Sequence, residues 1–258
     1  MEVHHHPNLH HKPKPWKEYF LEFLMIFLAV TMGFFAEGLR EHISERNRAN
    51  DFAISLLGEL KADTADLHAY IKYFSKANAN VDTLMHLLAD GEPKAVPAGK
   101  LYWYGLWGGA TKTFIAHDAT LLEMENSGSL RYFATPVFNR KLGRYDQLCQ
   151  ELKAFDAQSQ GVYTEVRKVR AQIFQFKYND ITNNISQIKN RSLRQAKIDS
   201  FIKTKPPLLS YDKTLFNQFV ELVRSRFFDR KLAMANAILH NAAEIIGDLK
   251  KQYELKDE

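Results

Sequence analysis

The chain has 258 residues, is 45% hydrophobic and 25% charged, carries a formal charge of +5 and contains one cysteine. That size holds one or two domains of ordinary globular composition. Basic residues alternate with acidic ones instead of gathering in one patch, which argues against a nucleic-acid partner, and the lone Cys149 rules out an intrachain disulfide or a multi-cysteine metal site.

The first 18 residues form a polar tail, "VHHHPNLHHKPKPW" at its centre, with His4, His5, His6, His10 and His11. Clustered imidazoles bind zinc, copper or nickel. Three prolines and the lack of acidic neighbours beyond Glu2 leave this tail without a preformed ligand geometry, so it reads first as a partly cationic juxtamembrane segment and only second as a transition-metal site. No other cofactor is implied.

Next comes "YFLEFLMIFLAVTMGFFAEGL". As a helix, residues 19–36 would extend about 27 Å, at the short end of what a hydrocarbon core of about 30 Å requires. The segment is apolar all round. Trp16 and Tyr19 stand where an aromatic belt would lie, beside Lys12, Lys14 and Lys17, and Glu22 is within one turn of the start, close enough to reach the headgroups. No small-residue cleavage site follows. The pattern predicts one transmembrane helix over 19–38, with the lipid bilayer as its partner. Ala29 and Gly33 form a small-xxx-small pair on the Glu22 face, which reads either as ordinary membrane-helix composition or as a homo-oligomer seam. Lys12, Lys14 and Lys17 before the span balance Arg40, Arg46 and Arg48 after it, so charge does not choose an orientation.

Residues 39–258 read as a helical domain. A first run carries Ala53, Leu57, Leu60, Thr64, Leu67, Ile71, Phe74, Asn78, Val81, Met85 and Leu88 at spacings of four and three, a coiled-coil-like seam in which Thr64 and Asn78 would set register. A second run, starting at Pro136 with Thr135 as cap, carries Leu148, Leu152, Phe155, Ser159, Val162, Val166, Val169, Ile173 and Phe176. A third, capped by Asp212, carries Leu215, Phe219, Leu222, Val223, Phe227, Met234, Ile238, Ile245 and Leu249. The Asn-rich "YNDITNNISQIKNRS" is expected to break or bend the chain between the last two, with a short helix over 193–202. The fold class is therefore all-α: an N-terminal transmembrane helix continuing into an antiparallel bundle of three long helices.

An irregular insertion at 91–135 separates the first two runs. "LYWYGLWGG" concentrates Trp103 and Trp107 with two tyrosines and reads as a plug for the bundle before it reads as a ligand site. "TFIAHDATLLEMENSGSLRYF" holds His117, Asp118, Glu123, Glu125 and Ser127, and a short helix from about Asp118 should end with Gly128 in the left-handed cap position. No HExxH, P-loop, GxGxxG or GxSxG is present, and no catalytic residue is assigned. Trp103, Trp107, His117, Glu123, Ser127 and Gly128 mark the region where a ligand or partner would bind.

Two stretches, "WKEYFLEFLMIFLAVTMGFFAEGLREH" and "ATLLEMENSGSLRYF" with Thr120, Ser127, Gly128 and Leu130, resemble those of uncharacterised single-span proteins of Bacteroidetes-type bacteria, a family of unknown function. The resemblance implies a bacterial inner-membrane protein with a short cytoplasmic N-terminus and a periplasmic helical domain, the cytoplasmic placement being the alternative. It brings no catalytic residues. The expected function is a membrane-anchored, non-catalytic scaffold or sensor-like module that binds a protein partner or self-associates. The alternative is a small-ligand-binding protein or hydrolase with its pocket in the insertion.

Overall fold

The computed structural model describes residues 15–89, 92–132 and 135–255. Those residues form eight α-helices and no strand: α1 (Trp16–Ala89), α2 (Ala98–Leu106), α3 (Ala119–Ser127), α4 (Pro136–Ile173), α5 (Phe176–Gln187), α6 (Arg191–Phe201), α7 (Lys213–Arg224) and α8 (Phe228–Tyr253). By internal contacts the chain divides into Met1–Phe52 and Ala53–Glu258.

In the first unit, α1 is long and apolar enough to cross a membrane, and none of its apolar window is buried. Phe23, Met25, Ile26, Phe27, Phe34 and Phe35 are all exposed. Left in water, such a surface forgoes roughly 25 cal/mol of burial free energy per Å². Trp16 stacks on Phe20 and Phe23 on Phe27. Thr31 satisfies its hydroxyl on the Phe27 carbonyl at 2.7 Å, the usual solution for a hydroxyl in an apolar helix.

In the second unit, the remainder of α1 packs with α4 and α8. Tyr70 of α1 meets Asp156 of α4, Asp63 meets Tyr145, and Lys141 of α4 bonds Asp248 of α8 at 2.7 Å. The order of these contacts makes α8 antiparallel to both neighbours. It also makes α4 run in the same direction as α1, because the insertion carries the chain back before α4 begins. Thr135 caps α4 by accepting from the Phe138 N–H at 3.3 Å, and Asp212 caps α7 at Thr214 and Leu215.

The seams differ from the sequence reading in phase. On α1 the buried column is Ala53, Leu56, Leu60, Asp63, Leu67, Tyr70, Phe74, Ala77, Val81 and Leu84. The heptad is real, but its steps run three then four from Ala53. Of the expected positions Ala53, Leu57, Leu60, Leu67, Phe74 and Val81 are buried, while Thr64, Ile71, Asn78, Met85 and Leu88 are only half-buried flanks. On α4 the column passes through Leu142, Tyr145, Cys149, Leu152, Asp156, Ser159 and Val166, leaving Phe155 and Val162 at the edge. On α8 it is Phe228, Lys231, Ala235, Ile238, Ala242, Ile245 and Leu249. Each column contains one charged residue, and a search for apolar periodicity steps over it.

Two further expectations are corrected. The Asn-rich stretch does break the chain between α4 and α7, and the expected short helix is α6 (Arg191–Phe201), but most of the stretch is itself helical: α5 covers Phe176–Gln187, and Ile181 and Ile185 pack on Trp103 and Ile198. Tertiary burial outweighs the poor helix propensity of Asn. Phe176 opens α5 instead of continuing the α4 seam and is 84% exposed. The third run is split at Phe227, which has a left-handed φ of 48° and is exposed. That break turns both Arg226 and Phe228 inward, which one continuous helical stripe would not do.

Candidate functional site

The charged residues of the three seams build two buried polar networks. Asp63 is the centre of the first. One carboxylate oxygen accepts the backbone N–H of His117 at 2.9 Å and its Nδ1 at 2.7 Å, and the other accepts the Tyr145 hydroxyl. A carboxylate only accepts, so Nδ1 carries the proton and Nε2 is the free position in the neutral ring. The Asp63 side chain is 1% exposed and that of His117 50%. The network thus begins in the core and ends at the surface. The hydrogen bond to Asp63 raises the His117 pKa, burial opposes it, and the charges of Asp63, Asp66 and Glu59 add to the rise.

Glu59, one turn before Asp63, extends the same grip. It accepts from the Thr120 N–H at 3.0 Å and from the Thr120 hydroxyl at 2.8 Å. Asp118, at the N-cap of α3, makes no side-chain cap, so a carboxylate from another helix satisfies an orphan amide at the positive end of α3. Two carboxylates four residues apart on α1 therefore fix the insertion from His117 to Thr120. Tyr145 stands beside Cys149, and burial pushes the Cys149 thiol up to about 12. A thiol in that state is not a nucleophile at neutral pH.

The second network is sealed. Asp156 accepts the Tyr70 hydroxyl at 2.9 Å and the Lys231 ammonium, with the two charged side chains 4% and 3% exposed. Lys231 also lies over Phe74 at 5.1 Å. Burial lowers the Lys231 pKa, against the opposing pull of Asp156. Burial likewise raises the Tyr70 pKa, with Asp156 adding to it. Arg226 stands beyond, donating to the Gly108 carbonyl at 2.8 Å and packing over Tyr163 and Phe228.

The aromatic insertion is packed. Trp103 is buried against Ile185 and Ile198. Trp107 is nearly buried between Tyr73 and the Lys76 ammonium, which sits 4.7 Å from its ring centre. Tyr102 is fully buried, donates to the Pro207 carbonyl at 2.8 Å and accepts from the Gln175 N–H at 3.0 Å. Two glycines permit the approach. A Cβ on Gly99 would lie 2.2 Å from the Phe201 carbonyl oxygen, and one on Gly108 would lie 2.5 Å from Val223.

Of the residues singled out in the sequence, His117 joins a network, with partners (Asp63, Tyr145) that lie in other helices. Glu123 is exposed on α3 and not part of that network. Ser127 donates to the Ser129 hydroxyl at 2.7 Å, and Gly128 takes the expected left-handed cap at φ 68°. The Ser–Gly–x–Leu signature is thus the stop of α3. Trp16 and Tyr19 are exposed, Glu22 is half-buried, Ala29 and Gly33 lie on open helix surface, and a Cβ on Gly33 would meet nothing within 4 Å. His4, His5, His6, His10 and His11 lie outside the described residues; among the described residues no group of three or more His, Cys, Asp or Glu is placed to hold a metal ion. The signals that pointed to the missed residues were Glu59 and Asp63 at a four-residue spacing and Asp63, Tyr70 and Ala77 at heptad spacing.

No protein-family model, curated protein or solved structure matches the chain.

Proposed function

We propose that the chain is a membrane-anchored helical interaction module, with residues 19–38 in a bilayer and the bundle acting through protein–protein contact instead of catalysis. The observation that carries this reading is the wholly exposed apolar surface of α1 in the first unit. Lipid covers such a surface at no cost to solubility, and the aromatic residues Trp16 and Tyr19 suit the interface. The packing of Trp103, Tyr102 and Trp107 supports a non-catalytic insertion, since these side chains fill space instead of lining a pocket.

In this proposal the membrane is a bacterial inner membrane, the bundle lies on the periplasmic side, and the module self-associates through the Ala29 and Gly33 face; a Cβ on Gly33 would meet nothing within 4 Å, which suits close backbone approach. Sedimentation of the full chain in detergent micelles tests this: an oligomer that Gly33→Leu dissociates supports the seam, and a wild-type monomer at every concentration removes it. Alkaline phosphatase fused at the C-terminus is expected to be active; an inactive fusion of normal abundance would reverse the orientation.

A hydrolase reading draws on one observation, the His117–Asp63 pair, which resembles an oriented general base. It requires a nucleophile near Nε2. Cys149 is buried with a raised pKa, and Ser127 is bonded to Ser129. His117→Gln separates the readings, since an interaction module keeps its partner binding and a hydrolase loses its turnover.

A further inference from the structure

The cleft between α4 and α5 carries positive charge that the protein leaves uncompensated. Its volume is about 680 Å³, and Arg167, Arg170, Asn179 and Asn183 line it. Arg170 donates one Nη to the Asn179 side-chain oxygen at 2.8 Å, while its Nε is buried with no hydrogen-bond partner. Burial draws the Arg170 pKa down to about 10, which still leaves the guanidinium charged at neutral pH, and no carboxylate is among the groups acting on it. Arg167 and Arg226 pack over the Tyr163 ring at 5.6 Å and 5.2 Å, so two guanidinium groups flank that ring, and Arg170 lies over Phe174 at 5.9 Å.

Among the described residues, no carboxylate lines the cleft. On α4, Glu165 accepts from Lys168 at 2.8 Å, and on α5, Asp180 accepts from Asn184 at 3.1 Å. Guanidinium groups without carboxylates, with side-chain amides beside them, are what a carboxylate or phosphate needs, because each anionic oxygen takes a charge-assisted donor. The rest of the wall is apolar: Phe176 is 84% exposed and Leu209 59% exposed, although both line the cleft. An apolar ligand body would cover both.

We infer that this cleft is a binding site for a small organic anion, a carboxylate or phosphate on an aromatic or aliphatic body, with Arg167 and Arg170 holding the charge and Phe176 the body. The inference goes beyond the interaction module and does not depend on the membrane anchor, so its failure would leave the anchor reading untouched.

Isothermal titration of the full chain in detergent micelles, with phenyl phosphate, phenylacetate, inorganic phosphate and phenethylamine as probes, tests it. The expected result is saturable binding of at least one aromatic anion and none of the amine. Arg167→Gln, at an exposed position, should weaken that binding about tenfold, the loss of one charge-assisted contact. Phe176→Ala should weaken the aromatic anions and leave inorganic phosphate unchanged, and phenyl phosphate against phenylacetate identifies which headgroup the site prefers. Absence of saturable binding by all three anions, binding of phenethylamine equal to that of the anions, or an Arg167→Gln variant that binds like wild type would each overturn the inference. Thermal melts of both variants that match wild type guard against misreading an unfolded protein.

Discussion

Asp63 and Asp156 are both buried carboxylates in heptad seams, each bonded to a tyrosine of a neighbouring helix, yet they are put to different uses. Asp156 faces a lysine in a site closed to water. Asp63 faces a histidine whose ring is half in solvent. The sealed pair joins α4 to α8 and, through Tyr70, to α1, and so bears on which residues of the three helices stand opposite each other. The open pair has the same buried anchor but ends in a half-exposed imidazole whose pKa is raised, so it links the state of the surface at the insertion to the core. What separates them is the partner's chemistry and exposure, not the carboxylate.

The largest effect should come from the sealed pair. Lys231→Met leaves Asp156 buried without its counter-charge and is expected to cost about 3–5 kcal/mol in chemical denaturation. Adding Asp156→Asn, which keeps an acceptor for Tyr70, should recover most of that loss. A double variant as unstable as the single one would show that the pair contributes net stability beyond register. Asp63→Ala comes next. It leaves the Tyr145 hydroxyl buried without its acceptor, a loss of about 1–3 kcal/mol, and it should also return the His117 titration, followed by NMR, toward the ordinary value near 6.5. An unshifted titration would separate His117 from Asp63.

The third test uses pH itself. The folded pKa of His117 is raised above its unfolded value. Its contribution to stability is therefore fully present below about pH 6.5 and is lost as pH rises through the folded pKa. The wild type should lose stability across that window relative to His117→Gln. If the His117→Gln curve runs parallel to wild type, the open network is not a pH-responsive one. The smallest effect is expected at Thr135→Ala, which removes the α4 cap for about 1 kcal/mol. Thr135 touches neither network, so this variant should lower stability without moving the His117 titration.

The elements were readable from the sequence where an apolar period met a clear stop. Thr135 and Pro136, Asp212, and Ser127 with Gly128 mark helix ends that the structure keeps. The seams were half readable: Ala53, Leu60, Leu67, Phe74 and Val81 are in the core, but the alternate positions fall on Asp63, Tyr70 and Ala77. A charged residue in a core column looks like a gap in the pattern, and the eye moves to the next apolar neighbour. His117 could be picked out by type, but its partners lie 54 residues before it and on α4, a pairing that only the packing of α1 against α4 creates. The insertion's packing was legible from its aromatic density, whereas the cleft at Arg170 was not, because its walls come from α2, α4, α5 and the loop at Leu209.

The exposed apolar surface of α1 against the filled core of the bundle is the difference on which the functional reading rests. Alkaline carbonate extraction of cell membranes, applied to the full chain and to residues 53–258 expressed alone, tests it most directly. The account predicts the full chain in the membrane pellet and the 53–258 fragment in the supernatant. A full chain released to the supernatant would contradict it.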